Sequence, residues 1–271
     1  RAAGRDVALP NLAALLDLVA LGTVADVVPL DAVNRALVAQ GLARIRRGAA
    51  QPGVAALFAT ANRATARASA YDLGFVAGPR INAAGRLDDM TVGIRCLVTD
   101  DAEEAGQLAA RLHALNTERR AIEAAMRDTA MAAIEALDAP AFGSAHSICL
   151  ADAAWHQGVV GIVAARLKER FNRPAIVFAP GAAGELRGSG RSIDGFHLRD
   201  ALARVDGVSP GLIRRFGGHA MAAGLTLDAG AFAAFAGAFE AVAREWLTPA
   251  QLTRTIETDG ALDPGELTVA L

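Results

Sequence analysis

Five short segments of this chain set polar side chains among glycine and other small residues, in patterns suited to phosphate chemistry. The first runs from Ala20 to Leu30 and carries Asp26 as a lone acid in an otherwise apolar stretch. An unpaired carboxylate is costly to bury, so Asp26 needs a cation, a hydrogen-bond donor or solvent. Hard divalent cations take oxygen ligands, which makes Asp26 a candidate metal ligand, although one carboxylate does not make a site. A helix-capping or loop aspartate is the competing reading, and spacing alone favours it. The second segment, Gly78 to Leu87, holds Arg80, Asn82 and Arg86. Arginine's planar fork matches phosphate oxygens, but ordinary surface arginines explain the pattern equally well.

The third segment, Trp155 to Val163, places His156 between an expected strand and the helix it opens, where free backbone N–H groups favour anions. It lacks the spacing of a P-loop or a dinucleotide fingerprint, and a packed tryptophan beside a satisfied histidine competes. The fourth and fifth, Leu186–Ser192 and Phe216–Gly224, set Ser189, Arg191 and His219 among glycines. Glycine there permits tight turns and close backbone approach. From Arg187 to His219, six arginines and two histidines stand against three aspartates. This local basic cluster is hidden by a whole-chain formal charge of −2. A solvated charged face would also explain it, but arginines interleaved with glycine turns fit a phosphate cradle better.

Positioning these groups requires two kinds of architecture. Apolar spacing predicts helices over Asn11–Leu21, Asp31–Arg47, Val54–Asn62 and Ala70–Ala77. Gly78-Pro79 is expected to stop the last of these and leave Arg80–Arg86 as a loop. Asp101–Asp138 has no proline and a three-or-four apolar spacing, which predicts one helix about 57 Å long at about 1.5 Å per residue. That length suits a connector between lobes, ended by Pro140–Ser144. Beyond it, strands at Ser147–Ala151, Ala175–Phe178, Glu185–Arg191 and Ala222–Leu227 alternate with helices at Val159–Phe171, Leu198–Val205 and Ala229–Trp246. That alternation argues an α/β domain. The tail from Thr255 to Leu271 carries turn signals and reads as the approach to a further domain.

The 271 residues suit two domains or one large one, and 53% are apolar, ample for a core. No apolar run reaches the roughly 18 residues of a membrane span, and no secretory signal is evident. Cys96 and Cys149 match no metal spacing and read as buried reduced thiols of a cytosolic protein. Lys168 is the only lysine, so arginine abundance reflects a compositional bias and is not evidence of DNA binding. The start at Arg1, already in patterned sequence, suggests a fragment or a truncated gene.

Six consecutive stretches together resemble one family: "DLVALGTVADVVPLDAVNRALVAQGLARIRRG", "LGFVAGPRINAAGRLDDM", "LNTERRAIE", "WHQGVVGIVAARLKERFNRPAIVFA", "GSGRSIDGFHLRDAL" and "GGHAMAAG". In order and content they are similar to signatures of the RecJ family in the DHH phosphoesterase superfamily. The resemblance implies an α/β fold. Residues 1–100 would be the C-terminal part of a parallel-sheet DHH lobe and 101–140 a long connecting helix. Residues 141–247 would be a nucleic-acid-gripping DHH-associated lobe with a mixed sheet, and 248–271 the approach to an oligonucleotide-binding domain. It implies a 5′→3′ single-stranded-DNA exonuclease of DNA repair and recombination, using Mn²⁺ or Mg²⁺ as a metal pair to activate water. Asp26 would be the last acidic metal ligand of the catalytic lobe. Arg80, Asn82 and Arg86 would lie in the substrate-phosphate loop. Ser189, Arg191 and His219 would hold the strand or its 5′ phosphate, and His156 matches the pattern without a firm role. The implied partners are a single strand with a free 5′ end and single-strand-binding protein, in a cytoplasmic monomer that does not engage membranes.

The departure from the family is large. Its first acidic motif, second acidic motif and Asp-His-His triplet do not occur in this sequence, so the resemblance implies a polypeptide inactive alone that retains affinity for single strands. The first lobe's sheet should be incomplete, with an open edge and exposed apolar surface. Asp17 reads as a capping or supporting group. Two alternatives stand beside the exonuclease: a non-catalytic single-strand-binding remnant, and a DHH-type phosphodiesterase for short oligonucleotides.

Overall fold

The computed structural model describes residues 11–135, 144–182, 184–256, 258, 260, 261, 263 and 265. The chain divides into two compact units, Arg1–Met126 and Arg127–Leu271.

In the first unit, a 3-10 turn at Leu12–Leu15 leads into α1 (Leu16–Ala25), four residues past the expected end. Helix α2 (Ala32–Arg46) starts where its sequence directs: the Asp31 side chain accepts the Asn34 N–H at 2.8 Å. Helix α3 (Pro52–Thr60) is capped from outside. The fully buried Asp17 accepts the Gln51 N–H at 2.5 Å, with Arg44 Nε 3.8 Å from its other oxygen. Asp17 is therefore a capping group. Gly53 lets α3 meet α5 (Thr91–Val98) closely: a Cβ there would stand 1.7 Å from the Cys96 carbonyl oxygen.

Gly78-Pro79 does not stop the chain. A π-helical turn, Asp72–Ala77, runs straight into α4 (Gly78–Leu87), so Arg80–Arg86 is helical and not a loop. Proline is tolerated in a helix's first turn, where its missing N–H would have had no intrahelical partner. Helix α5 has no counterpart among the sequence expectations. It is announced only by Asp89, whose side chain accepts the Thr91 N–H at 2.8 Å. Helix α6 (Ala102–Glu135) continues for 34 residues, and the expected end at 136–143 lies outside the described residues. No strand falls among the described residues of this unit, so the expected open sheet edge is not seen there. The exposed apolar surface is helical instead and includes Tyr71 stacked on Phe75.

The second unit is built on a mixed sheet ordered β1-β2-β3-β5-β4. Strand β1 (Ile148–Ala151), helix α7 (Val160–Phe171) and β2 (Ala175–Pro180) form a parallel crossover. Strands β3 (Glu185–Arg191), β4 (Arg215–Gly218) and β5 (Ala222–Asp228) join antiparallel. Strand β4 departs from expectation, because four residues with two glycines read as a turn. Helices α8 (Leu198–Val208) and α9 (Phe232–Trp246) bury one sheet face in a core. There Phe178 meets Phe235 edge-on at 5.6 Å. A capping box at Thr248 starts α10 (Pro249–Leu252), and most of the tail beyond lies outside the described residues.

Both cysteines are free, and burial pushes the Cys96 thiol up to about 11. Among the described residues no helix is long and apolar enough to cross a membrane.

Candidate nucleic-acid interface

Strand alternation puts Arg187, Ser189 and Arg191 of β3 on the sheet face opposite the aromatic core. The register sends Ala222, Gly224 and Thr226 of β5, and Arg215 and Gly217 of β4, to the same face. Helix α7 packs here against β2 and β3. A Cβ on its Gly161 would come within 2.9 Å of Ser189 Oγ and 3.0 Å of Arg191 Nη2, so only glycine lets the first turn close on them. Around that turn the Gly158 N–H donates to His156 Nδ1, the Val159 N–H to the His156 carbonyl and the Ile162 N–H to the Val159 carbonyl. The half-buried Arg191 donates to Ser189 Oγ at 3.1 Å and to the Gly190 carbonyl at 2.8 Å, which fixes the direction of its fork.

Past β3 the floor is bare. A Cβ on Gly217 would meet nothing within 4 Å, and one on Gly224 only the Gly188 carbonyl oxygen at 3.8 Å. This floor belongs to a cleft of about 300 Å³ edged by Arg187 and Arg215. Arg187 donates to Gln157 Oε1 at 3.3 Å and Arg215 to Thr226 Oγ1 at 3.2 Å. Both are exposed, and neither has an acidic partner among the described residues. The other three arginines of the cluster are engaged elsewhere. Arg214 pairs with Glu185 and Asp228, and its hydrogen bonds to Asp228 and Glu185 hold its pKa above the usual value. Arg199 lies by Asp200 at 3.9 Å and Arg204 by Glu245 at 3.6 Å.

His219 sits in the hairpin between β4 and β5. Gly218 turns the chain with φ of 146°, and a Cβ there would stand 2.4 Å from the Ala222 carbonyl oxygen. The His219 N–H donates to that same carbonyl at 2.8 Å and the imidazole is exposed. His219 follows the last paired residue of β4, next to Ala222, which pairs with Arg191 across β5 and β3. His156 is less available: its Nδ1 accepts the Gly158 N–H at 3.1 Å in the turn that opens α7. The second unit thus brings Ser189 and Arg191 together, places His219 in the exposed hairpin beside the β5 end that pairs with Arg191, and uses His156 as a turn former.

The remaining candidates lie in the first unit. Asp26 caps the C-terminus of α1, and its carboxylate is exposed with no partner among the described residues. The burial cost that made it notable in the sequence does not arise. Asp26 and Asn82 line one mainly apolar pocket of about 230 Å³. Arg80 donates to the Val76 carbonyl at 2.7 Å and to His113 Nδ1 at 3.2 Å. Burial and then Arg120 lower its pKa; for Arg86 burial leads, Arg119 adds to it and Glu123 opposes. Helices α4 and α6 thus gather Arg80, Arg86, Arg119 and Arg120. The last two stand in the Leu115–Glu123 stretch, LNTERRAIE, which carries part of the family resemblance but to which the resemblance attaches no role.

The described residues contain no group of three His, Cys, Asp or Glu side chains able to hold a metal ion. Asp26 with a neutral amide does not fit the donor set of a metal pair.

Residues 144–245 match the family model of the DHHA1 domain. The single-stranded-DNA-specific exonuclease RecJ of Escherichia coli K12 is 52% identical over 265 residues, 98% of this chain and 46% of that protein. Its counterpart in Dickeya dadantii is 54% identical over 267 residues, with the same coverage. The crystal structure of RecJ with Mg²⁺ from Thermus thermophilus superposes with a TM-score of 0.76 at 37% identity. That match covers 88% of this chain and 36% of the other. The chain spans about half the length of the curated relatives it matches.

Proposed function

The chain is a homologue of the RecJ single-stranded-DNA-specific exonucleases, and on that premise we propose that it supplies the strand-holding part of a 5′→3′ exonuclease of DNA repair and recombination. Residues 1–100 act as the C-terminal portion of a DHH domain, 101–140 as a connector and 141–247 as the DHH-associated grip. The observation that carries this reading is the joint placement of Ser189 and Arg191 under the first turn of α7, beside an open floor edged by Arg187 and Arg215. Arg191 and the α7 N-terminus hold a phosphate of the strand, Ser189 orients the arginine, and His219 contacts the strand from the hairpin. Arg80, Asn82 and Arg86 belong to a second phosphate contact in the first unit.

A divalent metal pair would supply an activated water to the whole exonuclease, in keeping with the Mg²⁺ complex of the Thermus enzyme. The donors among the described residues do not fit such a pair, Asp26 being at most one ligand, and on this reading the polypeptide binds without hydrolysing. A 5′-ended single strand is the proposed substrate, single-strand-binding protein a proposed partner, and a cytoplasmic monomer the proposed working state.

Fluorescence anisotropy with a 5′-phosphorylated single strand tests the reading. Arg187, Arg191 and Arg215 alone predict that log affinity falls by at least about 2 per tenfold rise in salt, at roughly 0.7 per contact. Arg191→Ala should weaken binding about tenfold, the worth of one hydrogen bond to a charged group. Equal affinity for duplex and single strand, or an unaltered Arg191→Ala variant, would sink the cradle.

A further inference from the structure

We infer that a second phosphate subsite lies at the far end of α7, between Lys168 and Arg254. The inference rests on the strand path just proposed and extends it. A cavity of about 290 Å³ opens there, lined by both cations. Lys168 is half-buried on α7 and makes no hydrogen bond or ion pair among the described residues. Its neighbours on the helix are engaged: Arg166 pairs with Glu169 at 3.3 Å, and Arg170 lies over the Phe171 ring at 5.7 Å. An ammonium on a cavity wall with no counter-ion of its own attracts an anion that enters the cavity. Arg254 likewise has no acidic partner among the described residues. Asp194 is the one carboxylate on the wall; it is exposed and pairs with neither cation, which leaves the cavity a net positive charge.

The wall is fixed, as a binding site requires. Arg173 donates to the Leu252 carbonyl at 2.8 Å, and Asn172 Nδ2 donates to the Gln251 carbonyl at 3.0 Å. These bonds clamp the segment that carries Arg254 to the end of α7. Burial outweighs the nearby Glu240 and lowers the Arg173 pKa, in keeping with an internal clamp.

Placement argues that the ligand is the strand's own backbone. Gly161, which touches Ser189 and Arg191, and Lys168 are seven residues apart and share one side of α7. Seven residues separate them by about 10 Å along the axis. The cavity wall includes Asp194, three residues after Arg191, and Met221, two after His219. A strand held at Ser189–Arg191 reaches Lys168 within the next one or two nucleotides. Free inorganic phosphate offers the same chemistry and is separated by the test.

The experiment uses the 271-residue chain with thymidine 5′-monophosphate and a 5′-phosphorylated oligothymidylate of twelve nucleotides. Lys168→Gln combined with Arg254→Gln should weaken twelve-nucleotide binding about tenfold and flatten the salt slope by about 1.4, two contacts at roughly 0.7 each. Mononucleotide binding should stay unchanged, whereas Arg191→Ala weakens both ligands. Lys168→Arg should keep the long-oligomer affinity, which separates lost charge from altered packing. If the double variant binds twelve nucleotides like wild type while Arg191→Ala still weakens binding, the subsite is wrong and the cradle stands. If Arg191→Ala is also without effect, both fail. Calorimetric binding of inorganic phosphate that the double variant abolishes, with twelve-nucleotide affinity intact, assigns the cavity to free phosphate and overturns the strand assignment.

Discussion

In the first unit, charged side chains are largely committed to one another or to backbone. Asp17 caps α3 beside Arg44, Arg80 is held by Val76 and His113, and Arg119 pairs with Glu123 at 2.8 Å. On the sheet of the second unit, Arg187 and Arg215 bond only neutral groups among the described residues and edge a floor that Gly217 and Gly224 leave open. An anion reaching the first unit competes with existing partners, while one reaching the sheet meets donors still in need of an acceptor. That contrast separates the two halves of a nuclease's task. Holding a strand needs cations and N–H groups, which a single sheet and helix supply together. Cutting it with metals needs several oxygen donors at one point, and among the described residues Asp26 stands alone.

The contrast can be broken by altering the backbone of each unit. Gly53→Ala places a Cβ 1.7 Å from the Cys96 carbonyl oxygen, so α3 and α5 must part. A loss of about 3 kcal/mol is expected from such overpacking, read as a lower midpoint in a circular-dichroism melt. Strand affinity of the remaining folded protein should be nearly unchanged, because neither α3 nor α5 carries a proposed contact; a loss as large as that of Arg191→Ala would make the first unit, and not the sheet, the main grip. Gly218→Ala should cost about 2 kcal/mol, because φ of 146° suits only glycine. Its effect should also appear in emission from Trp155 and Trp246, both in the second unit, and single-strand affinity should fall with it. The smallest effect belongs to Asp26→Ala: stability within about 0.5 kcal/mol of wild type and undiminished strand binding. A large change in either would mean that this exposed carboxylate is engaged after all.

Strongly periodic stretches were legible from sequence. The boundaries of α7 and β3 fall within a residue of expectation, and Asp31 marks the start of α2 as its side chain suggests. Elements whose cause lies elsewhere in the chain were not. Gly78-Pro79 reads as a stop, yet Gly78 packs against Ala25, with a Cβ there 3.0 Å from the Ala25 methyl, and the helix continues. Strand β4 exists because β5 pairs with it, and nothing within Arg215–Gly218 announces that partner. The candidate site shows the same division. A count of arginines located the basic region, but Arg214 and Arg204 are neutralised by Glu185, Asp228 and Glu245 from other elements. Which cations remain available is a property of the fold, and it singles out Arg187 and Arg215, which the spacing did not.

The uncovered half of the sheet has a consequence for selectivity. Telling one base from another requires side chains that offer distinct donors and acceptors to base edges. Gly217 and Gly224 present main chain alone, so a nucleotide crossing them is felt through its sugar and phosphate, which every base carries. A surface of this kind would be indifferent to base identity, which is what the proposed strand-holding role would require.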